Sequence, residues 1–225
     1  MSGPPSEEGL IAVTVEDDAP VKIRILPLLA FTFIPTVIFF GTSEAIHRGT
    51  GFDRYVSVID GDLKPRGLCW LYLAAWVVAM TTRILNNLPM AFKNKAVEAQ
   101  GKAAKGNIRA NLFLYYAPSS PTVRPIVMME EGAAGQYNRA NRSLHHFVEN
   151  APGVLLCLPL SGFVYPAATF VFALLFALGR VLHQVGYALK GYGGHGIGFG
   201  IALLATLHFE GLVLVAGLRA MGVPL

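Results

Sequence analysis

Five stretches of this chain are apolar over lengths that suit a membrane-crossing helix, which needs about 20 such residues. They run from Ile25 to Ile46, Leu68 to Phe92, Tyr137 to about Gly162, Pro166 to about Lys190 and Ile201 to Leu218, the third opening as polar helix up to Asn150. Of the 225 residues 53% are hydrophobic and only 14% are charged, against about 25% charged in a soluble domain. The missing charge is explained if lipid is the solvent for most of the surface. An all-α integral membrane helical bundle follows, because lipid leaves no partner for unpaired backbone groups.

The connections carry the polar residues. A tail over 1–24 is acidic, with Glu7, Glu8, Glu16, Asp17 and Asp18; it lacks the basic-then-apolar order of a signal peptide, so the first span (25–47) is expected to stay as an anchor. Pro27 and Pro35 lie in that span, and a kink is expected there. A mixed-charge loop is read from Gly49 to Gly67, and a polar insertion over 93–136 holds Lys93, Lys95, Lys102, Lys105, Arg109 and Arg124. The positive-inside rule puts this insertion in the cytosol. Trp70, Tyr72 and Trp76 suit an interface, while Arg83 is costly unless it faces the bundle or a partner. Cys69 and Cys157 read as small buried hydrophobes. The net charge of +4 is scattered, with no basic stripe interleaved with aromatics, so membrane lipids are expected partners and nucleic acid is not.

One polar helix carries the chemistry. Arg139, Arg142, His146 and Glu149 follow one another at spacings of three, four and three, which puts them on one stripe. Ionisable groups leading straight into a span face the bundle or a water-filled cavity. In the next span Arg180, His183 and Tyr187 repeat the spacing. Helices joined by the short turn at Tyr165-Pro166 pack antiparallel, so the two polar ends meet at one depth. Such a site suits a zwitterionic, anionic ligand. Nothing has metal-ligand spacing, and no metal is expected; His145, His208 and Glu210 read as packing or hydrogen-bonding residues.

The order Arg142-x-x-x-His146-x-x-Glu149-Asn150-x-Pro152, then Gly162-x-x-Tyr165-Pro166-Ala167, then Gly179-Arg180 to Gly186-Tyr187 resembles the MAPEG superfamily, membrane-associated proteins in eicosanoid and glutathione metabolism. Within it the chain resembles the microsomal glutathione transferases. The resemblance covers about Tyr137 to Leu204 and extends to Leu68–Gln100. It implies a four-helix domain over 68–222, with the 25–47 helix as an addition, and a homotrimer holding glutathione as co-substrate near the cytosolic face. By position, Arg142, Glu149 and Tyr187 match glutathione ligands, and Arg139, His146 and His183 beside them complete the expected glutathione-binding set. The ligand chemistry agrees: arginines take carboxylates in bidentate fashion, and Glu149 can take the ammonium.

The chain departs from the pattern where His146 replaces the usual Asn and His183 a frequent Tyr. The arginine that many members place before the last helix is absent, and His195 stands near its place. His195, Tyr187 and Arg180 are therefore the candidates for activating the thiol. The implied activity is conjugation of glutathione to lipophilic electrophiles or reduction of lipid hydroperoxides. The alternative is a catalytically weakened subunit of a larger membrane complex; a transporter finds no support in inverted repeats. The resemblance points to an intracellular membrane, the endoplasmic reticulum first and a mitochondrial or other organelle membrane second. Five spans put Lys102 and Asp60 on opposite sides, so single cysteines placed at each are expected to label from opposite faces; labelling from one face would remove a span.

Overall fold

The computed structural model describes residues 25–49, 51–104, 113, 115–116 and 127–224. Helices α1 (Ile25–His47), α3 (Cys69–Ala104), α4 (Gly132–Val164), α5 (Pro166–Lys190) and α6 (Gly196–Ala220) are each long and apolar enough to cross a membrane. Helix α2 (Phe52–Val58) with a π-helical turn (Ile59–Leu63), and a two-residue antiparallel pair of β1 (Tyr115–Tyr116) and β2 (Val127–Met128), complete the described elements. The chain is thus an integral membrane helical bundle, with α3 to α6 as a four-helix core and α1 as an added helix. The acidic tail and, in the insertion, Lys105, Arg109 and Arg124 lie outside the described residues.

Small side chains let the core helices approach. One cluster joins Ala74, Val78 and Leu85 of α3 to Phe147, Val154 and Leu158 of α4, Ala173 and Phe176 of α5, and Ala202, Ala205 and Phe209 of α6. A second, at the Gly132 end of α4, gathers Leu88, Phe92, Tyr137, Ala140 and Ala188. Without a hydrophobic driving force between helices in lipid, van der Waals contact between close backbones holds such a bundle. The closest approach is between α5 and α6. A Cβ on Gly198 would run into the backbone of His183, and one on Gly179 into the backbone of Ala202.

Several boundaries differ from the sequence expectation. The expected loop over Gly49–Gly67 contains α2 and the π turn, begun by Gly51 at φ 93°. Phe52, Tyr55 and Val58 fall on one side of this short helix and stay exposed, as suits an element lying on a bilayer surface. A Lys64–Asp60 ion pair of 2.5 Å braces its far end. Helix α3 continues past Phe92 to Ala104, because Lys, Ala, Glu and Gln favour helix with or without lipid. Helix α6 begins at Gly196 rather than Ile201. Cys69 is exposed and Cys157 half-buried, so neither is the buried hydrophobe expected; their apolar surroundings can be lipid as well as protein. His208 donates from Nδ1 to Leu204 O and stacks on Phe172 at 4.2 Å between centroids, which is inter-helix packing rather than an inter-helix hydrogen bond.

Helix α1 meets the bundle through a polar seam. Arg83 Nη1 donates to Thr36 Oγ1 at 2.7 Å and to Thr32 O at 3.4 Å, and Asn87 Nδ2 to Thr32 Oγ1 at 3.5 Å. The added helix therefore supplies the partner that Arg83 requires. Thr36→Val leaves the guanidinium short of an acceptor and is expected to cost about 1 kcal/mol in reversible unfolding from mixed micelles. Arg83→Leu removes the cation together with its need for a partner and is expected to cost less. The reverse order would mean that the seam does not hold α1.

Candidate functional site

Helix α4 has 33 residues, about 50 Å at 1.5 Å per residue, well beyond the roughly 30 Å of hydrocarbon. Its excess length is the polar Gly132 end. There it lies beside the end of α5 and the start of α6, since α5 runs the other way and α6 reverses again. The reversal from α5 to α6 needs left-handed backbone, supplied by Gly191 at φ 73° and Gly193 at φ 90°. The tight α5–α6 contact at Gly198 then lowers the first turn of α6 onto α5, and His195 comes to rest beside His183, 5.3 Å between ring centroids.

These elements enclose a cavity of 280 Å³ lined by Arg142, Ser143 and His146 of α4, His183 and Tyr187 of α5, Tyr192 and His195 of the loop, and Phe199 of α6. Its wall is largely a chain of rings. His146 stacks on His183 at 5.3 Å and 15°, and His195 meets Tyr187 at 5.2 Å and Tyr192 at 5.5 Å, both edge-on. His195 Nδ1 is buried with no hydrogen-bond partner among the described residues. Among the described residues no group of three His, Cys, Asp or Glu is placed to hold a metal ion.

Of the residues singled out in the sequence, Arg142, His146, His183, Tyr187 and His195 come together in this cavity, and Arg139, Glu149 and Arg180 do not line it. Arg139 crosses to the end of α5. Its Nε donates to Tyr187 O at 3.1 Å and its Nη2 to Ala188 O at 3.1 Å, while Nη1 reaches Glu130 O. It thereby supplies a donor to Ala188 O near the helix end and a second donor to Tyr187 O, which also accepts from Gly191 N. Glu149 pairs with Arg142 at 3.0 Å, both side chains about half exposed. Arg180 lies beneath the floor, 4% exposed. Its Nη1 approaches His146 Nδ1 at 3.2 Å, its Nη2 donates to Ser143 O at 3.3 Å, and its guanidinium lies over the Phe147 ring at 5.4 Å.

Ser143, Tyr192 and Phe199 line the cavity without having been singled out. Ser143 was within reach of sequence reasoning, since it falls between Arg139 and His146 on the same helical stripe. Tyr192 and Phe199 were not, because their positions depend on the glycine reversal. Another polar residue, Gln184, ties three helices below the site, its Nε2 donating to Leu85 O at 3.0 Å and Ala140 O at 3.1 Å.

Arg139→Ala strips donors from the end of α5 and is expected to destabilise it by about 1.5–3 kcal/mol, the range for hydrogen bonds to a charged group. Amide exchange over 185–190 would report the loss. Unchanged exchange there would show that the arginine is dispensable to the helix end.

No curated protein and no solved structure matches the chain. The sequence model of the MAPEG family matches residues 67–215. That stretch takes in all of α3, the polar insertion, α4, α5 and most of α6, and hence every residue of the cavity, and it leaves α1 outside. With two thirds of its length covered, the site included, the chain belongs to the MAPEG family, which is associated with glutathione metabolism.

Proposed function

We propose that the protein is a membrane-bound glutathione transferase or peroxidase acting on lipophilic electrophiles or lipid hydroperoxides. The observation that carries this reading is the convergence of Arg142, His146, His183, Tyr187 and His195 on one open cavity, inside the stretch matched by the family. Glutathione has two carboxylates, an ammonium and a thiol. Arg142 with its partner Glu149 offers a cation and an anion at the cavity edge, and the rings beyond them offer donors for the sulfur. A substrate dissolved in the acyl region would meet the thiolate at the membrane's surface. In this reading the functional domain is 68–222, the insertion side is cytosolic, and the endoplasmic reticulum is the first membrane to examine. A homotrimer would complete the surroundings of the cavity, with Arg139 as a structural neighbour and Arg180 as support from below.

A second reading is a MAPEG subunit of a larger membrane complex without turnover. The fitted α1 seam through Arg83 and Thr36 favours it, since an added helix held by specific polar contacts extends the surface open to partners.

Calorimetry with glutathione on detergent-purified protein, followed by a conjugation assay, separates the two. Binding and turnover are expected. Arg142→Ala is expected to weaken binding by about 1–2 kcal/mol, a factor of roughly 5–30, because the Arg142–Glu149 pair is half exposed and screened. His195→Ala is expected to lower kcat more than affinity. Absence of glutathione binding by the wild type would end the transferase reading, and binding without turnover would favour the subunit.

A further inference from the structure

Two imidazoles of the cavity are held from behind through the same ring nitrogen. Arg180 Nη1 stands 3.2 Å from His146 Nδ1, and Ser143 Oγ stands 2.7 Å from His183 Nδ1. A guanidinium has only donors, so His146 Nδ1 accepts and its ring hydrogen resides on Nε2. Ser143 is 2% exposed, and among the described residues its hydroxyl has no acceptor other than His183 Nδ1. A buried O–H left without an acceptor is costly; the hydroxyl therefore donates, and the His183 hydrogen also resides on Nε2. Neither Nε2 has a hydrogen-bond partner among the described residues, yet neither is among the buried unsatisfied atoms, so both open onto the cavity their rings line. The rings are near parallel at 15° with centroids 5.3 Å apart. Two N–H donors thus stand side by side, with the positive charge of Arg180 directly behind one of them.

We propose that the Nε2–H groups of His146 and His183 form a paired donor site for a thiolate sulfur, with Arg180 and Ser143 as the positioning residues that fix both tautomers. Donors already oriented where negative charge develops stabilise it without rearrangement, and a cation behind the donor strengthens it. Arg180 itself acts only through His146, since it does not line the cavity. When a thiol binds, its S–H bond breaks heterolytically, the electron pair stays on sulfur, and the proton leaves to water at the open mouth. The identity of the thiol as glutathione rests on the function proposed above; the donor pair rests on the two Nδ1 contacts.

The test is nitrogen NMR of the full-length protein in micelles, labelled with ¹⁵N-histidine and assigned with the His146→Gln and His183→Gln variants. Both rings are expected to carry hydrogen on Nε2, and Ser143→Ala is expected to disturb the His183 tautomer and leave His146 unchanged. Either wild-type ring found with hydrogen on Nδ1 overturns the proposal. In ligand titrations the ultraviolet thiolate band of bound glutathione is expected to fall about tenfold in His146→Leu, equivalent to about 1.4 kcal/mol. It is expected to fall less in His146→Gln, which keeps an N–H donor. Binding of S-methylglutathione, which has no ionisable thiol, is expected to change little in either variant. Hydrosulfide, a thiolate without the peptide, separates the two possible failures. If it shifts both Nε2 resonances while no tripeptide binds, the donor pair stands and the glutathione reading falls. If neither hydrosulfide nor glutathione shifts them, the donor pair falls.

Discussion

A guanidinium almost wholly withdrawn from solvent in a bundle that lipid surrounds must find acceptors within the protein. Arg180 finds them on α4, at Ser143 O and His146 Nδ1, and rests on the face of Phe147. The contact fixes the depth at which α4 and α5 lie against one another and the orientation of the imidazole above. Gln184, one turn further along α5, repeats the device with the carbonyls of Leu85 and Ala140. Polar contacts thus set the register of helices whose apolar surfaces, being mostly Ala, Leu, Val and Phe, would tolerate sliding.

The same requirement governs the added helix. From Ile25 to Gly41 helix α1 is apolar around its circumference except for the hydroxyls that meet Arg83 and Asn87, and most of its large side chains stay exposed. An anchor alone would need no such match. Arginine on α3 and threonine on α1 are complementary, so α1 is seated in one place on the bundle, although it lies outside the stretch matched by the family.

The five spans are legible in the sequence because run length and apolarity act locally, and the antiparallel meeting of Arg142–His146 with Arg180–His183 follows from helical spacing and the short Tyr165-Pro166 turn. The division of labour among the cations is less legible. Spacing alone puts Arg139, Arg142 and Arg180 on shared stripes, whereas a rotation of some tens of degrees and the length of each side chain send Arg139 to carbonyls, Arg180 under the floor and only Arg142 to the cavity. The helical nature of 52–63 escaped because a mixed-charge segment with apolar residues three apart has too few turns to stand out. Histidine in place of Asn and Tyr at 146 and 183 looked like a weakening of the site; with each Nδ1 held, both become fixed donors.

The backbone contact between α5 and α6 has one more consequence. Gly198 meets the main chain of His183, and Gly179 that of Ala202, so the spacing of the two helices is limited by main-chain atoms that have no rotamers to explore. The distance from His183 to His195 is inherited from that spacing. A ligand entering here meets walls whose ordering entropy was lost at folding, and little of its binding energy is diverted to arranging them. The glycines touch no ligand, yet they hold the cavity preorganised.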